Sequence, residues 1–214
     1  MGYYLQWPDS TGSRVTNTGL LQISGVSGTL ISIEYVVKTS PKDYTEHRYL
    51  FDIRRLAGTT SNGGGANYLF QSSQSGFNNT GTSNFKKNGS AVFNNDLFRN
   101  YEADDTFSFD INQTPSGGTF AFGARFTETE NYYGLSVSSI IVEDSDGFHT
   151  IDMSDSGGSG TSLTSTDGDI TATLFNFPTD DSQWVLYAPP AVTPINPSVT
   201  NLLATSARLN WEQG

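Results

Sequence analysis

Apolar and polar residues alternate along this chain with a period of two, segment after segment. The 3.6-residue period of an amphipathic helix is nowhere sustained, so the pattern predicts an all-β chain. From Thr119 onward Phe120, Phe122, Ala124 and Phe126 share one face, while Ala121, Gly123 and Arg125 share the other. That predicts a half-buried strand with one strongly apolar side. A polar connection follows, and Gly134 leads into a run rich in Leu, Val and Ile. There Leu135 and Val137 fall on one face and Ile140 and Val142 on the other, with Ser138-Ser139 between them. A bulge at the serines, or a strand covered on both sides, is expected.

The first clear strand is 29–38, where Ile31, Ile33, Tyr35 and Val37 oppose Ser32, Glu34 and Lys38. In 47–55, Tyr49, Phe51 and Ile53 alternate with Arg48, Asp52 and Arg54. Shorter strands are read at 68–71, 106–111 (Phe107, Phe109 and Ile111 inward), 171–177 and 183–187. Residues 85–92 form a tight hairpin turning at Asn88-Gly89, a pair that accepts the positive φ angles of a two-residue turn. Turn signals recur roughly every ten to fifteen residues, and the apolar faces need a second sheet to cover them. The expected architecture is a two-sheet antiparallel β-sandwich.

Composition narrows the partners. The 22 acidic residues outnumber the 11 Lys and Arg, for a net charge of −11. That argues against phosphate contacts, which need clustered Lys and Arg, so neither nucleic acid nor an anionic membrane surface is expected as a partner. No apolar run approaches the length of a membrane span, and the first residues lack the basic and apolar regions of a signal peptide. There is no cysteine, which removes disulfides, thiolate metal sites and cysteine nucleophiles together.

The order of signals is informative as a set: a turn at Asn88-Gly89, a strand ending Phe122-Gly123-Ala124-Arg125, then Tyr132-Tyr133-Gly134-Leu135 and a closing apolar strand. It resembles the laminin-G/concanavalin-type jelly roll, across about residues 3–187. The resemblance implies a concanavalin-like jelly roll and a role in adhesion, in glycan binding or as a spacer. Past it, four prolines (Pro189, Pro190, Pro194 and Pro197) mark a semi-rigid linker over 188–196. Residues 197–214, with Leu209 and Trp211 as an inward Leu-x-Trp, resemble the opening strands of a fibronectin type III domain. Only its first strands are present, so the chain is expected to come from a longer modular protein. Those strands are expected to be mobile, paired with a neighbour, or laid across the first domain.

Candidate chemistry divides into three kinds. Catalysis would need carboxylates in a cleft, as in the jelly-roll glucanases, whose Glu-x-Asp-x-Glu strand has no counterpart here. Glu128 and Glu130 would project together if extended, which leaves a diverged glycoside hydrolase as the weakest alternative; the chain is not expected to be an enzyme. A structural Ca²⁺ is the cation suited to the Asp-rich loops, which hold Asp144, Asp146, Asp152, Asp155, Asp167, Asp169, Asp180 and Asp181. Asp144 and Asp146 are the candidate ligands, although Asp-x-Asp-Gly is also a good turn. Glycan binding would use an aromatic ring against sugar C–H faces and polar neighbours against hydroxyls. Tyr132 and Tyr133, flanked by Asn131 and Arg125, are the candidate platform, with Phe77 and Asn79 a second one. Trp184 is expected to close the sandwich where the last strand rejoins the first, near Tyr4 or Trp7.

The sequence therefore points to a non-catalytic carbohydrate-binding or adhesion module of a bacterial or phage surface protein. Such a module would be extracellular, on a cell surface or on a virion. Its partners would be a polysaccharide or cell-surface glycan, and other domains of the same modular protein. A structural or protein-interaction sandwich without a glycan ligand is the alternative.

Overall fold

The computed structural model describes residues 2–7, 19–38, 48–52, 68–72, 76–80, 82–92, 102–123, 136–187, 195–203 and 206–212. For 48–49, 51–52, 68–72, 76–80, 195–203 and 206–212 the description is of the backbone. The molecule is all-β, and two antiparallel sheets form a sandwich.

The larger sheet is built from β1 (Gly2–Gln6), β3 (Leu30–Val37), β7 (Ser83–Lys87), β8 (Ser90–Ala91), β9 (Thr106–Gln113), β11 (Ser136–Asp144), β12 (Gly147–Asp152) and β15 (Trp184–Tyr187). Its order is β15-β1-β11-β3-β9-β7-β8, with β12 pairing β11 alongside β1. The smaller sheet contains β2 (Leu20–Ser24), β4 (Arg48–Asp52), β5 (Tyr68–Ser72), β6 (Gly76–Thr80), β10 (Thr119–Phe122), β13 (Ser162–Thr164) and β14 (Thr171–Phe175). It runs β13-β14-β2-β10-β4-β5-β6. Inward residues of both sheets merge into one core: Leu5, Ile33, Tyr35, Phe107, Phe109 and Val142 from the larger, and Leu21, Ile23, Phe120, Phe122 and Leu174 from the smaller. Tyr35 meets Phe122 edge-on across the sheets at 5.4 Å between ring centroids, and stacks on its strand neighbour Phe107 at 5.7 Å. Such rings contribute most of the buried apolar area that holds two sheets together.

Several expectations hold in detail. Val137, Ile140 and Val142 all face the core because β11 carries an extra residue at Ser138, where its register against β3 shifts. Asn88 and Gly89, at φ 49° and 76°, make the two-residue turn between β7 and β8. Trp184 lies opposite Leu5 in the β15–β1 pair, and its indole N–H donates to the Gly160 carbonyl at 2.9 Å.

Others need correction. Two strands precede 29–38: β1 and β2 are five residues each, too short for alternation to stand out. In β3 it is Leu30, not Ile31, that is fully buried. The register against β9 slips between Leu30 and Ser32, which returns the face to alternation only from Ile33. Leu50, which the alternation of 47–55 left unassigned, is buried in β4 beside a register shift between Tyr49 and Phe51. β10 is covered on both sides, not half-buried: Thr119, Phe120, Ala121 and Phe122 are all buried between β2 and β4. β14 ends at Phe175 because Asn176 takes a φ of 58°, and Phe177 turns in against Trp7 at 5.4 Å.

The C-terminal strands β16 (Ile195–Leu203) and β17 (Ser206–Glu212) pair antiparallel with each other as a two-stranded sheet. Residues 195–196 of the expected linker therefore belong to a strand, and 188–194 lie outside the described residues.

Candidate functional site

The β11–β12 hairpin carries chemistry on both of its sides. Asp144 pairs with Gly147 across the turn, so Ser145 and Asp146 form its tip. Asp144 Oδ1 accepts the Asp146 N–H at 2.8 Å, which closes the turn on itself. Oδ2 accepts the Ser27 N–H at 2.7 Å, and the Thr29 N–H donates to Ser145 Oγ at 2.9 Å. The hairpin is thereby stitched to the β2–β3 connection. Gly28, at φ 59°, sits so close that a Cβ there would lie 2.6 Å from Ser145 Oγ.

Past the turn, alternation along β12 points Phe148 outward and His149 inward. His149 is 3% exposed. Its Nε2 lies 3.0 Å from Asp144 Oδ1 and its Nδ1 lies 2.6 Å from Asp167 Oδ2. Asp167 belongs to a tight turn between β13 and β14. The Ser165 hydroxyl donates to Asp167 Oδ1 at 2.5 Å and accepts the Ile170 N–H at 2.9 Å. The Asp169 N–H also reaches Asp167 Oδ1, at 3.2 Å, and the Thr166 N–H holds the turn to the Thr150 carbonyl of β12. Gly25 packs beneath: a Cβ on it would lie 2.3 Å from the Asp169 carbonyl oxygen.

The electrostatics follow from these contacts. Burial opposes a charge on His149, but hydrogen bonds to Asp144 and Asp167 outweigh it and hold the imidazole above its ordinary value. Burial would raise Asp144, yet the Ser27 and Asp146 N–H groups and His149 keep it below the ordinary carboxylate value. Asp167 is lowered to about 2, chiefly by the Ser165 hydroxyl. Ser165 bonds the carboxylate rather than the imidazole, so this arrangement does not activate the hydroxyl as a nucleophile would require. The ligand atoms of His149, Asp167 and Asp169 lie within 4.8 Å of one another, with both aspartates exposed.

The opposite side of the hairpin is the outer face of the larger sheet. Phe148 is 70% exposed there. Strand pairing sets it in a row with Glu143, Ser32 and Asp110. Thr150, Ile141, Glu34 and Ser108 form the next row. The Ser32 hydroxyl donates to Glu143 Oε2 and the Asn84 amide to Asp110 Oδ2, both at 2.6 Å. An exposed ring thus borders a face of carboxylates, hydroxyls and an amide.

Of the residues singled out by sequence, Asp144 and Asp146 come together in one turn, in different states. Asp146 is exposed at the tip, while the Asp144 carboxylate, 2% exposed, is taken up by two backbone N–H groups and an imidazole. Asp144 is thus held by the fold, while Asp146, Asp167 and Asp169 are exposed acidic groups of this region. Arg125, Asn131, Tyr132 and Tyr133, like Glu128 and Glu130, lie outside the described residues. Phe77 and Asn79 fall in β6, at the edge of the smaller sheet. The sequence signal for Phe148 and His149 is an Asp146-Gly147 turn followed by Phe-His-Thr-Ile alternation, which sends one outward and the other in with Ile151.

No protein-family model matches this chain, and neither the curated proteins nor the solved structures contain a match to it.

Proposed function

We propose that this chain is a non-catalytic carbohydrate-binding or adhesion module of a modular surface or secreted protein of a bacterium or phage. The glycan would lie on the outer face of the larger sheet, with Phe148 as its stacking ring. One observation carries this: an aromatic 70% exposed, in register with Glu143 and its bonded Ser32. A ring that the fold leaves mostly exposed is available to a sugar C–H face, and acceptor-rich neighbours suit a ligand rich in hydroxyl donors. The two-sheet sandwich, the Asn88-Gly89 hairpin and the bulged β11 support kinship with concanavalin-like domains. The β16–β17 hairpin supports a fibronectin-type-III-like start.

The test is a screen of the chain against soluble glycans and insoluble polysaccharides, with Ca²⁺ and with a chelator, alongside Phe148→Ala. Binding that falls about tenfold in the variant, or ~1.4 kcal/mol, supports this site. Binding unchanged in the variant moves the platform elsewhere on the molecule. A protein-interaction domain is the second reading, favoured by Leu186, which is 53% exposed on the edge strand β15. Among the described residues no strand pairs the outer side of β15, and such an edge with an apolar side chain is a surface another chain can extend. Absence of binding to every glycan would favour it.

A further inference from the structure

We propose that His149, Asp167 and Asp169 form a binding site for one divalent cation of borderline softness, of the Zn²⁺ class. This site is separate from the outer-face ring Phe148, and its donors and acceptors do not balance without a cation. A carboxylate oxygen only accepts, and a neutral imidazole has a single N–H. Both ring nitrogens of His149 face carboxylate oxygens, at 3.0 Å for Asp144 and 2.6 Å for Asp167. Asp144 is the deeper partner, and its oxygens are set by the Ser27 and Asp146 N–H groups, so it takes the Nε2–H. That leaves the Nδ1 lone pair aimed at Asp167 Oδ2, an arrangement stable only with a cation between them. The cation is either a second proton on a buried ring or a metal ion. A metal-bound histidine characteristically gives its other N–H to a carboxylate, which fixes the ring and raises its basicity; Asp144 is placed for that role.

The donors select the class of metal. One imidazole nitrogen with two carboxylates suits Zn²⁺ and its neighbours, whereas Ca²⁺ takes six to eight oxygens. Ser165 and the Asp169 N–H occupy Oδ1 of Asp167, which leaves Oδ2 for the ion. Asp167 keeps 36% of its side chain exposed and Asp169 is exposed, so solvent reaches the outer side and water completes the coordination. Bond lengths near 2.0–2.2 Å at a tetrahedral angle set the two ligand atoms roughly 3.3 Å apart, so Asp167 swings outward by roughly 0.7 Å, within reach of an exposed side chain. On binding, the proton between Nδ1 and Asp167 leaves to solvent and the metal takes its place.

The experiment uses the full chain, stripped with a chelator and titrated separately with Zn²⁺, Co²⁺ and Ca²⁺ by calorimetry, with thermal unfolding followed in parallel. The expected result is one Zn²⁺ per chain, a higher Tm, a visible Co²⁺ spectrum and weaker binding of Ca²⁺. Asp169→Asn, an exposed change, should keep the fold and weaken Zn²⁺ at least tenfold. Asp167→Asn provides a second reading of the same loss. The proposal is overturned if Zn²⁺ gives no heat, if its affinity is unchanged in both variants, or if Ca²⁺ binds more tightly than Zn²⁺.

Discussion

Two carboxylates sew hairpins to neighbouring loops in this molecule, and they do so with different nitrogen donors. Asp105, at the start of β9, accepts from Lys87 Nζ, the Asn88 amide and the Glu102 N–H, each at 2.7 Å. It fastens the β7–β8 turn to the sheet, and the Asn88 side-chain oxygen completes the link by accepting the Thr106 N–H at 2.8 Å. Asp144 fastens the β11–β12 turn in the same way, with two N–H groups and His149. The lysine ammonium is a compact point charge, and it also lies 5.9 Å from the centre of the Phe107 ring. The imidazole has a second nitrogen, and that nitrogen opens toward Asp167 and Asp169. A lysine makes the first cluster a clasp; a histidine makes the second a clasp with an outward ligand face.

Breaking each clasp sharpens the contrast. Asp144→Ala should have the largest effect, about 3–5 kcal/mol by urea denaturation, because it leaves the buried Nε2 of His149 and two N–H groups without their acceptor. Asp105→Ala should cost less, about 1–3 kcal/mol, since Lys87 can turn to water. Equal losses would mean that the two clusters do not differ in the way their burial indicates.

Acid gives the next contrast. Burial alone would raise Asp105, but Lys87, the Glu102 N–H and Asn88 more than offset it and hold the carboxyl below 3.8. A folded value below the unfolded one means that this contribution is complete above the unfolded value, and is lost as pH falls through 3.8 and then through the lower folded value. Asp105→Asn should therefore flatten the acid limb of stability below about pH 4. A limb as steep as that of the parent chain would remove Asp105 from the acid response.

Smaller effects test the turn and the surface. Gly89→Ala should cost about 1 kcal/mol, since φ 76° strains any Cβ while nothing crowds the position. Phe148→Ala should change stability by less than about 0.5 kcal/mol, as an exposed ring contributes little to the fold. Loss of stability well beyond that would make Phe148 part of the fold and weaken its case as a glycan platform.

How much was legible follows from the physics of each element. Phe107, Phe109 and Ile111 announce β9 because three large residues at period two leave no other face to bury. Ser138-Ser139 announces a bulge because the apolar residues change parity there. Leu30 and Leu50 were not legible. Each lies beside a register slip, and a slip depends on how a strand meets its neighbour rather than on its own pattern. The covered outer side of β10 is another such case, since alternation cannot say what lies over a small residue such as Ala121.

The candidate site divides along the same line. The order of residues alone determined that this is an all-β sandwich with a turn at Asn88-Gly89, and that acidic groups gather in its loops. Those properties are local, set by side-chain periodicity and by which residues tolerate a tight turn. Only the tertiary structure decided that Asp144 turns inward to Ser27, 117 residues away in the chain, while Asp167 meets the other nitrogen of His149. Composition shows eight loop aspartates as equals; folding made one of them a buried clasp and left two others facing solvent beside an imidazole. Distances between residues far apart in sequence are fixed by sheet order and register, and no local pattern carries them.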